Sequence, residues 1–218
     1  MSRRVKPRVI GVDPENPSLE AIREAASVVR RGGLVVYPTD TVYGLGANPL
    51  DERAVERVYL AKERSFSKPL PVLVASLEDA KRIAVLSERA ERLARAFWPG
   101  PLTLVLEARP LLPCIVTACR RRVAVRMPNN RIALLLIEES GGLLIGTSAN
   151  ISGYPPPRTA AEAIRQLGGR VDLVLDAGPT RLGSPSTVLD LSEGTPRVLR
   201  RGPIREKDIA RVLGRGGE

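Results

Sequence analysis

GGLVVYPTDTVYGLG, residues 32–46, is the stretch from which the rest of the sequence is read. Leu34-Val35-Val36 is an unbroken apolar run. A glycine pair stands before it, and Pro38 follows directly after Tyr37. A run that does not alternate with polar residues suits a strand, placed at 34–37, that is covered on both faces. The strand opens into two threonines, one carboxylate and two glycines. Glycine there would let backbone approach a ligand closely.

Helices and strands can be placed outward from this point. Ser18 is positioned to cap a helix with Ile22, Ala25, Ala26 and Val29 at helical spacing, stopped by Gly32-Gly33. Asp51 opens a second helix carrying Val55, Val58 and Tyr59, which runs out in KERSFSKPL, residues 62–70. LPVLV is a strand. Ser76 and Ser87 begin two more helices, ending at FWPGP. LTLVLEA and VAVRMP (123–128) are strands, a helix covers 131–139, and LLIG leads into TSANISGYPPP, 147–157. Thr159-x-x-Glu162 has the form of a capping box. DLVLD, STVLDL and PRVLR are strands, and a last helix covers about 205–213. Irregular alternation of helices and strands predicts an α/β or α+β fold with a mixed sheet flanked by helices. The organisation expected is an arm over 1–17 with an early strand, a body over 18–205, and a C-terminal helix and frayed tail over 206–218.

The chain has 218 residues, 43% apolar and 27% charged, the balance of a soluble globular protein. Its basic start lacks the long apolar segment of a signal peptide, and no apolar run reaches membrane-span length, so a cytoplasmic protein is expected. A net charge of +10 points to an anionic partner: nucleotide, RNA or polyphosphate. There is no histidine. That excludes Ser-His-Asp catalysis, histidine bases and histidine-ligated metals. Cys114 and Cys119 match no zinc spacing and are expected as two reduced thiols, with a disulfide as the alternative.

No GxxxxGK[ST] is present, and Gly44-Leu45-Gly46 lacks the third glycine and the following helix of a dinucleotide turn. Polar clusters do recur at the ends or edges of apolar runs: Thr39-Asp40-Thr41, Lys62-x-Arg64 with Lys68, Thr147-Ser148-Ala149-Asn150, and Ser186-Thr187 with Arg200-Arg201. Arg126 adds a cation after Val123-Ala124-Val125. Strand-end loops are where open α/β sheets place ligands. Each cluster also has a plainer reading. Lys62 and Arg64 suit a helix C-terminus; Ser148 and Asn150 suit a turn; Thr39-Asp40-Thr41 suits a capping turn. Arg126 suits pairing with a surface acid, and Arg120–Arg122 suits a solvated face. Together the clusters are complementary, since arginine and lysine satisfy phosphate oxygens while Ser, Asn, Thr and Asp supply directional polar contacts.

GGLVVYPTDTVYGLG, KERSFSKPL, FWPGPLTLVL, VAVRMP, GTSANISG, STVLDL and VLRRGP, in this order and spacing, resemble the YrdC family of threonylcarbamoyl-AMP synthases over about residues 18–203. The resemblance implies a twisted mixed sheet around a basic cavity. It implies a nucleotidyltransferase that joins L-threonine, bicarbonate and ATP, with magnesium, into threonylcarbamoyl-AMP and pyrophosphate. The product serves threonylcarbamoyladenosine modification of tRNA through a separate transferase complex. ATP then falls to Lys62, Arg64, Lys68, Ser148, Asn150 and Arg200, with Lys62 and Arg64 also catalytic. L-threonine falls to Thr41, Arg126, Gly146 and Ser186, with Arg126 on the amino-acid carboxylate. No protein-ligated metal is implied, and the role of Asp40 is left open. Ser65, Leu73 and Pro156 depart from the family pattern, and the length resembles its short form. The competing readings are a double-stranded RNA or tRNA binder without catalysis, and a domain like that of the hydrogenase-maturation carbamoyltransferases. The latter are larger and carry further cysteine-rich regions.

Overall fold

A computed structural model describes residues 6–214. The first half of the chain runs β1 (Arg8–Gly11), α1 (Leu19–Arg30), β2 (Val35–Tyr37), β3 (Gly44–Gly46), α2 (Glu52–Lys62), β4 (Val72–Val74), α3 (Leu77–Ile83), α4 (Glu88–Phe97) and β5 (Leu102–Glu107). It continues with α5 (Cys114–Thr117), β6 (Arg122–Arg126), α6 (Arg131–Glu139), β7 (Leu143–Ile145), β8 (Thr147–Ser148), α7 (Ala160–Leu167), β9 (Leu173–Asp176), β10 (Thr187–Asp190), β11 (Arg197–Arg200) and α8 (Glu206–Gly214). Residues 1–5 of the arm and the tail at 215–218 lie outside the described residues. Among the described residues no helix is long and apolar enough to cross a membrane.

The α/β class holds, but the strands form two mixed sheets where one was expected. The order is β1-β9-β2-β3-β8 in one and β11-β10-β5-β6-β4-β7 in the other. The chain passes between them three times, and the passage from β7 to β8 takes a single residue, Gly146. A side chain at Gly146 would collide with Leu73 of β4, so the corner requires glycine. The early strand of the arm, β1, is an edge of the first sheet, parallel to β9.

The unbroken apolar runs are explained by burial on both faces. Val35 and Tyr37 point into a core layer built with α1 and α6, while Leu34 and Val36 point into the larger core on the other side. β4 divides in the same way, with Leu73 on the first side and Val72 and Val74 on the second.

Helix starts follow the capping residues. Ser18 accepts from Ala21 N, Asp51 from Arg53 N and Ala54 N, Ser76 from Asp79 N, and Ser87 from Ala90 N. Each such cap contributes about 1 kcal/mol. The box at α7 is only half formed. Thr159 accepts from Glu162 N, but the Glu162 carboxylate accepts from Arg158 N at 2.6 Å instead of returning to Thr159.

Two further expectations change. Cys114 and Cys119 are joined in a disulfide that closes the short helix α5, and Ala118 and Cys119 take the left-handed conformations that let the chain turn back. The second change concerns Gly44 and Gly46, which serve the core, although Gly44 also lines the cavity described below. They form β3 beside β2, and a Cβ on them would lie 2.9 Å and 2.8 Å from the ring of Tyr37. The glycines make room for a fully buried tyrosine whose hydroxyl donates to Ile145 O at 3.2 Å.

Gly46→Ala therefore overpacks the Tyr37 ring and Leu144, a strain of about 1–3 kcal/mol. Urea unfolding of this variant is expected to show a lower midpoint at unchanged slope, and a wild-type midpoint would contradict this account of β3.

Candidate functional site

Where the two sheets meet, they enclose a cavity of 460 Å³. Its wall takes Thr41 and Tyr43 from the β2–β3 region, Leu73 from β4, Thr103 from β5 and Arg126 from β6. Gly146, Ser148 and Asn150 come from the crossover, and Ser186 and Arg200 from the C-terminal hairpin. Arg64, from the loop after α2, completes it. Arginines line this space and no carboxylate does, so it suits an anion. Among the described residues no group of three or more His, Cys, Asp or Glu is placed to hold a metal ion.

Arg126 is buried and extensively bonded. Nε donates to Gly100 O at 2.9 Å, Nη1 donates to Thr41 Oγ1 at 2.9 Å, and Nη2 is paired with Asp40 Oδ1. Its acid partner is thus itself buried, not a surface acid. Burial pushes the guanidinium pKa down, and the Asp40 charge opposes that shift. Each terminal nitrogen keeps one N–H for a ligand. The hydroxyl protons can be followed from here. Thr39 donates to Val42 O at 2.7 Å, so the 2.9 Å Thr39–Thr41 contact must be donated by Thr41. With its proton given to Thr39, Thr41 Oγ1 can only accept.

On the opposite side, Arg200 donates to Ser186 O at 2.9 Å and to Ser186 Oγ at 3.0 Å, and Ser186 Oγ lies 2.8 Å from Thr103 Oγ1. Loss of solvent first, and the charge of Arg126 second, push Arg200 down. Arg64 is half-buried, donating to Lys68 O at 3.3 Å and Pro69 O at 2.9 Å, and its pKa is likewise lowered by burial. Neither Arg64 nor Arg200 has an acid partner among the described residues.

Lys62 and Lys68 stand apart from the wall. Lys62 is 2% exposed, and its ammonium lies behind the crossover loop, donating to Ser148 O and, at 2.7 Å, to Asn150 O. Its own carbonyl accepts from Ser152 N at 2.8 Å. Burial first, and the Arg64 charge second, push its pKa down to about 7. Lys68 is exposed, and its contribution to the wall is indirect, through its carbonyl. Asn150 Nδ2 holds the loop by donating to Ile151 O and Tyr154 O, while its Oδ1 has no partner. Leu73 and Pro156, which depart from the family pattern, both line the cavity. Sequence reasoning missed Thr103 and Tyr154. A threonine interrupting the apolar strand LTLVLE was the available signal for the first. Nothing local marked Tyr154.

Residues 27–202 match the model of the Sua5, YciO and YrdC family, described as telomere recombination. The threonylcarbamoyl-AMP synthase of Pyrococcus abyssi is 47% identical over 194 residues, which are 88% of this chain and 57% of that protein. The structure of P. abyssi Sua5 complexed with L-threonine superposes with a TM-score of 0.91 at 45% identity, covering 94% of this chain and 61% of that one. Escherichia coli YciO superposes with a TM-score of 0.85 at 30% identity, covering 93% and 99%. The chain thus spans less than two thirds of the P. abyssi protein and nearly all of YciO. By its sequence match and by its fold, this chain belongs to the Sua5, YciO and YrdC family.

Proposed function

We propose that this chain is a threonylcarbamoyl-AMP synthase. It joins L-threonine, bicarbonate and ATP, releases pyrophosphate, and supplies the threonylcarbamoyl group to a separate transferase complex for tRNA modification. One observation carries the reading. The residues expected for the amino acid (Thr41, Arg126, Gly146, Ser186) and for the nucleotide (Arg64, Ser148, Asn150, Arg200) come from both sheets yet line a single cavity. Its volume lies within the range of small-ligand sites. The named relative and the L-threonine complex support the same reading.

In this mechanism the threonine amine and bicarbonate first give a carbamate, with loss of water. A carbamate oxygen then attacks the α-phosphorus of ATP. The bond from that phosphorus to the bridging oxygen breaks, and pyrophosphate leaves with the electron pair. The nucleophile belongs to the substrate, which suits a chain without histidine. What the protein must supply is position and positive charge. Arg126, through its remaining N–H groups, holds the threonine carboxylate, and Thr41 accepts from the amine. Arg64 and Arg200 offset phosphate charge, Ser148 and Asn150 orient the nucleotide, and the Lys68 carbonyl helps to hold Arg64. Lys62 acts from behind, fixing the Ser148–Asn150 backbone. Magnesium enters as the counter-ion of ATP, since the wall offers hydroxyls but no carboxylate.

The direct test is pyrophosphate release from ATP, magnesium and labelled bicarbonate, with and without L-threonine. Threonine-dependent release with label in the adenylate is expected; ATP binding without any such release would refute the synthase. Arg64→Ala should lower turnover roughly 10²-fold, the scale of deleting one donor from a charge-stabilising site. Near-normal turnover would remove Arg64 from that role.

Lys62 gives a pH dependence. Its ammonium titrates at about 7 in the free protein, and bound phosphate favours the charged form and raises that value. Between the two values ATP binding takes up a proton. The help Lys62 gives to ATP is therefore full below about pH 7 and fades as pH rises above it. Calorimetry at pH 8 in buffers of different ionisation enthalpy should detect this uptake in the wild type. In Lys62→Met the uptake should be absent, and equal uptake in both proteins would contradict the assignment.

A further inference from the structure

A buried hydroxyl in the middle of an apolar strand calls for a partner. Thr103 occupies such a place in β5, between Leu102 and Leu104, and is buried. Valine would fill nearly the same space without a polar group to satisfy. Among the described residues, the only hydrogen bond Thr103 makes through its side chain is to Ser186, 2.8 Å away. The sheet sets this meeting, because β5 and β10 run parallel with Leu102 opposite Thr187 and Thr103 opposite Val188. Ser186 stands immediately before β10, and both hydroxyls face the cavity.

We propose that Thr103 is a positioning residue that turns Ser186 into a dedicated hydrogen-bond donor for the amino-acid substrate. A serine hydroxyl has one proton and two lone pairs. Arg200 can only donate, so it takes one lone pair of Ser186 at 3.0 Å. The 2.8 Å contact with Thr103 is open to either donor, and in this arrangement Thr103 donates and takes the second. The Ser186 proton is then the only valence left, and it points into the cavity. A group so fixed donates to a carboxylate or carbonyl oxygen and turns away an ammonium. Thr41 across the cavity has the opposite character, its proton spent on Thr39 and only its oxygen offered. The two hydroxyls thus present a donor at one place and an acceptor at another, the pattern that orients a zwitterionic amino acid in one sense.

This inference rests on the synthase reading, and its test separates the two. L-threonine binding is measured by calorimetry, and KM for L-threonine and for ATP by pyrophosphate release, in wild type, Thr103→Val and Thr103→Ser. Thr103→Val should weaken L-threonine about three- to tenfold, the value of one well-placed neutral hydrogen bond. KM for ATP should stay within about twofold, and the thermal midpoint should not fall. Thr103→Ser, which keeps the hydroxyl, should restore threonine affinity. Unchanged threonine affinity in Thr103→Val overturns the positioning role while leaving the synthase reading standing. A parallel loss for threonine and ATP, or a loss that Thr103→Ser does not repair, overturns it in favour of plain packing. If the wild type shows no threonine-dependent pyrophosphate, the synthase reading falls and this inference falls with it.

Discussion

The buried pair of Arg126 and Asp40 is the interaction on which the site depends. Arg126 ends a strand of the six-stranded sheet, and Asp40 and Thr41 lie in the turn between two strands of the five-stranded one. The guanidinium therefore ties the sheets across the floor of the space they enclose. Taking both charges out of water is expensive, and losing either partner from such a pair costs about 3–5 kcal/mol, because the survivor is stranded. The second oxygen of Asp40 is buried without a hydrogen-bond partner, which adds to the cost. A fold under selection for stability alone has little use for that arrangement. Its return is a cationic group held rigidly at a fixed distance from the opposite wall.

That rigidity gives the remaining charges their meaning. Arg64 and Arg200 are held by carbonyl and hydroxyl oxygens, which orient a guanidinium without neutralising it. Acids are kept off the cavity wall, and the Asp40 carboxylate is committed to Arg126. In a partly desolvated space, uncompensated cations act on an anion more strongly than the same charges would in water. The cavity is thus polarised before any ligand arrives.

Much of this was legible in the sequence, for definite reasons. Helix starts are local events, and Ser18, Asp51, Ser76 and Ser87 all cap as their spacing indicated. The polar clusters at strand ends do converge, with the exception of the Lys62 and Lys68 amines. What could not be read depends on partners distant in the chain. Gly44 and Gly46 looked like freedom for a ligand, and only the Tyr37 ring across the strand pair reveals them as space for a side chain. The place of the Lys62 ammonium behind the crossover loop could not be read locally, because its acceptors, the carbonyls of Ser148 and Asn150, lie 86 and 88 positions away. The split into two sheets depends on which strands pair across the chain, such as β9 with β1 and β2, and no local pattern states those pairings. The joining of Cys114 to Cys119 depends on left-handed residues at Ala118 and Cys119, which alanine and cysteine seldom adopt.

The path of the chain between the sheets bears on how the molecule comes into being. The first sheet takes β1, β2 and β3, gives way to four strands of the second, and resumes at β8 and β9 before the chain returns for β10 and β11. Neither sheet is a contiguous piece of sequence, so neither can form ahead of the other as an autonomous unit. Native pairings such as β1 with β9 close very long loops, and contacts of that kind form late and slowly. Arg200, in β11, is part of one wall of the cavity. On the ribosome, a nascent chain that still lacks β11 has Arg126 but not Arg200. A complete cavity wall therefore requires β11, and forms only after the segment carrying Arg200 has been made, well after Arg64, Ser148 and Asn150.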